Sequence, residues 1–154
     1  MTTKLLLFLF PVLTSLAAEA PPKRYNCPRA SSAIRIDGKL DDEVWKTAAM
    51  LKDFYQVQPG DNTAPSYPTE VYIGYDEKTL YLAFRAHDEK DKIRATVPKR
   101  DQIFSDDYIG LYLDTFNDRR KAYIMFFSPL GVQADGIFTE STDEEEDYTV
   151  DVVM

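Results

Sequence analysis

An all-β fold, an antiparallel β-sandwich of jelly-roll type, is predicted by three features of the sequence. Extended segments that alternate apolar and polar residues recur from residue 69 onward. Turn-forming residues separate them at hairpin-like spacing. No segment sustains helical periodicity, and 154 residues suit one globular domain.

The elements follow in order. Pro21, Pro22 and Pro28 exclude regular structure from residues 21–33, so the sandwich is expected over 34–154. Ile34 and Ile36 alternate with polar neighbours, which predicts a half-buried strand over 33–37. Asp37-Gly38 turns the chain, and Asp41 can cap a short helical turn that places Val44, Trp45 and Ala48 on one face. Trp45 is expected to plug one end of the core. In the next segment Val71, Ile73 and Tyr75 point one way and Glu70, Tyr72 and Gly74 the other. Asp76 to Thr79 supplies the turn, and Leu80, Leu82, Phe84 and Ala86 return facing inward, completing a hairpin.

The same alternation predicts strands over 108–114, 122–127 and 132–138, the last pair joined by a turn at Pro129-Leu-Gly131. Asp143 to Asp147 is expected to be a solvated acidic loop. Tyr148 to Met154 resembles a strand beginning, so the chain is expected to be a fragment whose sandwich lacks its final strands, and to be marginally stable alone.

Lys4, the apolar run Leu5 to Leu13 and the stretch Ala18-Glu-Ala20 predict a cleaved signal peptide over 1–20, hence a secreted or periplasmic protein. The run is about half the roughly 20 residues that cross a bilayer, so no membrane insertion by this segment is expected. The lone Cys27 has no partner in the chain for a disulfide, and burial is its simplest role.

Composition removes several function classes. With 26 acidic against 18 basic side chains the chain carries −8, and it concentrates Lys and Arg nowhere, so nucleic acid is not an expected partner. One His and one Cys are too few for zinc, haem or iron–sulfur sites. No Gly-x-Ser-x-Gly elbow accompanies His87, and a small sandwich rarely forms the cleft in which two glycosidase carboxylates face each other. Catalysis is not expected.

Several segments, taken in order, resemble the family 9 carbohydrate-binding module, in the form found at the N-terminus of larger bacterial envelope proteins. They are Ile36-Asp-Gly-Lys-Leu-Asp-Asp-Glu-Val-Trp45, Thr69 to Asp76, Leu80 to Asp88, Arg100-Asp101, Asp106 to Asp114 and Ser128 to Asp135. The resemblance implies a sandwich that holds sugar between aromatic faces, with closing strands beyond residue 154. It also implies ligand positions. Phe104 stands where sugar-binding members carry a stacking Trp, Gly110 where they carry an acidic ligand, and Phe126 where they carry an Arg. The second stacking Trp would lie beyond Met154.

Sugar recognition needs exposed, rigid rings for the C–H faces of pyranoses and planar hydrogen-bond partners for their hydroxyls. Phe104, Tyr72, Tyr81 and Tyr112 offer rings and Arg85 a donor; by alternation Tyr72, Tyr81, Arg85 and Tyr112 share an outer face if their strands are neighbours. The alternative is that these tyrosines only suit the amphipathic side of a sheet. Asp106, Asp107, Asp114, Asn117 and Asp118 are oxygen ligands that suit calcium, although their spacing is not an EF-hand. Loop solvation and capping are the simpler explanation, and Asp106 and Asp107 could instead pair with Arg100, Arg119 or Arg120.

The reading that results is a secreted, non-catalytic module that targets a larger protein to polysaccharide or oligosaccharide in carbohydrate catabolism, with no cofactor unless calcium. The alternative is a docking module of an outer-membrane-associated protein whose aromatic face packs on a downstream domain.

Overall fold

In the computed structural model, residues 23–141 and 145–152 are described, and the predicted signal peptide lies outside them. Two antiparallel sheets form an all-β sandwich. The first has the order β1 (Ala49–Leu51), β2 (Thr69–Tyr75), β3 (Leu80–Ala86). The second has the order β4 (Ile109–Leu113), β5 (Lys121–Phe127), β6 (Gln133–Thr139), β7 (Glu145–Asp147). The one helix among the described residues, α1 (Glu43–Thr47), lies across β2, with Val44 over Gly74. No helix among them is long and apolar enough to cross a membrane.

The predicted hairpin forms in the expected register, with Val71 opposite Phe84 and Ile73 opposite Leu82. Leu82 and Phe84 are half-buried, whereas Leu80 and Ala86, at the strand ends, are exposed. In the second sheet, Gly110 pairs with Phe126 and Phe126 with Ala134, while Tyr112 pairs with Ile124 and Ile124 with Gly136. One face of this sheet therefore carries Gly110, Tyr112, Ile124, Phe126 and Ala134. Its other face carries Ile109 and Phe127, which look across to Leu82 and Phe84.

The tightest apolar cluster sits on the outward side of the second sheet. Ile103, Ile124 and Ala134 have no exposed surface, and Phe126 retains 8%. Ile103 comes from the segment 95–106, which lies over this face as a lid. Burying Ile103 and Ile124 contributes about 1.5–3 kcal/mol each before the entropy of ordering is charged against it.

Three predicted elements differ. The strand over 33–37 does not form: no neighbouring strand accepts its backbone, and Ile36 is 82% exposed. The helix starts one residue later than expected, with Asp42 at the N-cap rather than Asp41, and Trp45 is buried as predicted. The acidic stretch holds a strand instead of a loop alone, because the backbone of Glu145–Asp147 pairs with β6 while its side chains stay in solvent. Tyr148 to Val150, expected to be strand, turns instead. Charged side chains on an edge strand are a common guard against further pairing.

Candidate functional site

An aromatic face is built on β4 and β5. Tyr108, just before β4, alternates with Gly110 and Tyr112 on that strand, and Phe126 lies across the gap that Gly110 leaves. A Cβ at residue 110 would drive into the Phe126 ring, so only glycine permits the ring to lie there. Phe104 descends from the lid and packs on Phe126 edge-to-face, with centroids 5.4 Å apart and planes at 80°. It meets Tyr108 and Tyr148 at the same 5.4 Å spacing. Tyr112 contacts Phe126 at 5.9 Å and Phe138 at 5.5 Å. Such edge-to-face contacts are each worth about 0.5–1.5 kcal/mol beyond area burial and hold the rings rigid.

The rings remain accessible. Phe104 is 41%, Tyr108 48% and Tyr112 51% exposed, while Phe126 beneath them is buried. The rim is polar: Glu146 accepts hydrogen bonds from the hydroxyls of Tyr112 and Tyr148, the latter at 2.6 Å. Burial, then the bond to Glu146, pushes the Tyr148 phenol well above its ordinary value. Gly136 makes this corner possible, since a Cβ there would strike the backbone of Asp147 and Tyr148, which cross over β6 at that point.

The lid is tied down by carboxylates. Oδ2 of Asp106 accepts from both the amide and the hydroxyl of Thr96 at 2.7 Å, and these bonds, the hydroxyl's first, hold its carboxyl below the usual range. Asp107 accepts from the amide of Arg94 at 2.9 Å and faces its guanidinium at 3.4 Å; it does not pair with the arginines expected from the sequence. Asp114 accepts from the amides of Phe116 and Arg119, and Asp118 from those of Arg120 and Lys121. Each of the four aspartates among the candidate calcium ligands thus serves a loop or cap contact. Among the described residues no group of three or more His, Cys, Asp and Glu is placed to hold a metal ion.

The five candidate sugar contacts are divided between two places. β3 and β4 belong to different sheets, so the single platform that neighbouring strands would have made does not form. Phe104 and Tyr112 lie on the aromatic face just described. Tyr72, Tyr81 and Arg85 lie together on the outer side of the first sheet, where the Arg85 guanidinium sits 5.7 Å from the Tyr72 ring centroid. Glu70 accepts from the Tyr72 hydroxyl at 2.8 Å and from Arg85 at 3.4 Å, and the Tyr81 hydroxyl donates to Asp76 at 2.8 Å. Sequence reasoning did not include Tyr108, Phe138, Tyr148 or Glu146 in the site. The alternation of Tyr108 with Tyr112 was the one available signal; the rest depends on long-range folding.

The sequence profile of the carbohydrate family 9 binding domain-like family matches residues 36–150. The chain belongs to this family. No curated protein and no solved structure matches the chain significantly. In this carbohydrate family 9 binding domain-like chain, the three positions that the resemblance aligns with sugar ligands, Phe104, Gly110 and Phe126, are brought together, with Phe126 packing on both of the others. Two of them form a ring-on-glycine pair instead of the acidic and basic ligands, so the face is aromatic where a polar centre was implied.

Proposed function

We propose that the domain binds saccharide on the face formed by Phe104, Tyr108 and Tyr112, by stacking and hydrogen bonding and without covalent change. One observation carries the reading: three half-exposed rings are locked in place by buried Phe126, with a carboxylate at their rim. Rings presented this way offer apolar faces to the axial C–H groups of a pyranose, and Glu146 and the tyrosine hydroxyls can meet its hydroxyls. Binding at such an open, wet face is weak, because few contacts offset the cost of ordering. The predicted leader at residues 1–20 supports a place outside the cytosol, and the proposed role there is to target a larger protein to polysaccharide.

Affinity electrophoresis in gels containing xylan, cellulose or mannan tests the reading. Retention that is lost in Phe104→Ala supports it; retention in no glycan removes it.

A second reading is favoured by the Gly110–Phe126 pair, which leaves the centre of the face apolar. The same rings would then dock on a downstream domain of a longer protein. Glycan retention by the isolated domain separates the two readings.

A further inference from the structure

The strands of the aromatic face carry one charge there, and it is negative. In the register of β4 to β7 the even-numbered residues share this face. Glu146 is the single charged side chain among them, whereas Lys121, Asp135, Glu145 and Asp147 alternate to the opposite side. Arg94 and Arg100, beside and within the lid, are engaged by Asp107, Asp135 and Asp151. Among the described residues no Lys or Arg forms an ion pair with Glu146.

The Glu146 side chain is exposed but held in place. Its Oε1 accepts from the Tyr112 hydroxyl, and its Oε2 accepts from that of Tyr148 at 2.6 Å. A carboxylate has about four acceptor positions, so each oxygen keeps room for a further donor. The bond to Tyr112 sets this carboxylate at the hydroxyl end of a ring that is half-exposed. A pyranose stacked on Tyr112 therefore brings one of its ring substituents to Glu146. The exposed faces of Tyr108 and Tyr112 are themselves negative through their quadrupoles. Rings and carboxylate act with the same sign: they attract a cationic substituent and repel an anionic one.

We propose, on the footing that this face binds saccharide, that its ligand is an amino sugar, with the protonated amine on Glu146 and a C–H face of the pyranose on Tyr112. The three donors of an ammonium group suit the two carboxylate oxygens, each of which has a lone pair to spare. A neutral sugar keeps the stacking and loses the charge pairing. A uronic acid would bring its carboxylate against Glu146 with no cation between them, and is excluded.

The test compares oligomers of glucosamine, N-acetylglucosamine and glucose of equal length and linkage, titrated at mildly acidic pH where the free amine is protonated. The expected result is that the glucosamine oligomer binds roughly fivefold tighter than the other two, the gain of one exposed charge pair with a cation–π contribution. In Glu146→Gln this preference should vanish, while the glucose oligomer binds variant and wild type alike, which reports an intact face. Asp61→Asn removes one carboxylate from the loop between β1 and β2, on the other sheet, and should leave the preference unchanged. The proposal is overturned if the glucose oligomer binds as tightly as the glucosamine one, or if the preference survives in Glu146→Gln. Equal loss of preference in Asp61→Asn would assign it to the overall charge of −8 and also overturn it. Binding of no oligomer at all would remove saccharide binding at this face, and the amino-sugar assignment with it.

Discussion

Arg100 donates from Nη2 to Oδ1 of Asp135, thirty-five residues further along the chain, and Asp135 has no exposed surface. The pair joins the lid to β6. Asp101 reinforces it, with its amide donating to the carbonyl of Gln133 at 3.0 Å and its own carboxylate accepting from the amide of Asp135 at 3.1 Å. A second oxygen of Asp135 accepts from the amide of Val152. The two motif segments Arg100-Asp101 and Ser128 to Asp135 are therefore two sides of one clamp that sets the lid, and with it Phe104, over the sheet.

Arg100→Met should destabilise the domain by about 3 kcal/mol. This is the low end for stranding a buried charge, because Arg100 itself is half-exposed. The urea unfolding midpoint measures the loss, and an unchanged midpoint would show that the clamp is dispensable.

Gly110→Ala should cost about 1–3 kcal/mol, since the methyl group must displace a buried ring. The same substitution should weaken glycan retention, because Phe126 supports Phe104, Tyr108 and Tyr112. A variant of wild-type stability with full retention would contradict the proposed role of this pair.

Phe104→Ala and Tyr108→Ala should each weaken saccharide binding by about tenfold, as expected for losing one stacked ring of roughly 1.4 kcal/mol. Arg85→Ala and Tyr72→Ala, on the other sheet, should leave binding unchanged. Equilibrium titrations followed by tyrosine resonances would check this, and the opposite pattern would move the site to the first sheet.

Acid should loosen the lid. Asp106 has its carboxyl held below the ordinary 3.8, so as the pH falls the unfolded chain takes up the proton first. The stabilisation is present above 3.8 and is lost as the pH falls through that value toward the lower folded one. Other carboxylates with lowered values, including Asp76 and Asp114, contribute to the same decline. In Asp106→Asn the melting temperature should be lower at neutral pH and fall less steeply below about pH 4, as followed by circular dichroism. Parallel wild-type and variant curves would exclude Asp106 from the effect.

Local periodicity was enough to place the β2–β3 hairpin, β4, β5 and β6, because side-chain direction alternates along a strand whatever its partners are. It was also enough to put Tyr72, Tyr81 and Arg85 on one face, whereas Phe104 was marked by the family resemblance and not by periodicity. It misled at Ile34 and Ile36, where the pattern is present but no strand lies alongside to pair with it. It missed β7, whose acidic side chains hide a backbone that pairs.

What the sequence determined by itself was the all-β class, the strand faces and the family, since each of these is written in short-range order and motif succession. Which faces meet was decided only by tertiary structure. Sheet membership separated Tyr112 from Tyr72, and the Arg100–Asp135 clamp carried Phe104 onto Phe126. Those contacts join residues far apart in the chain, and no local pattern encodes the hydrogen-bond pairing that brings them together.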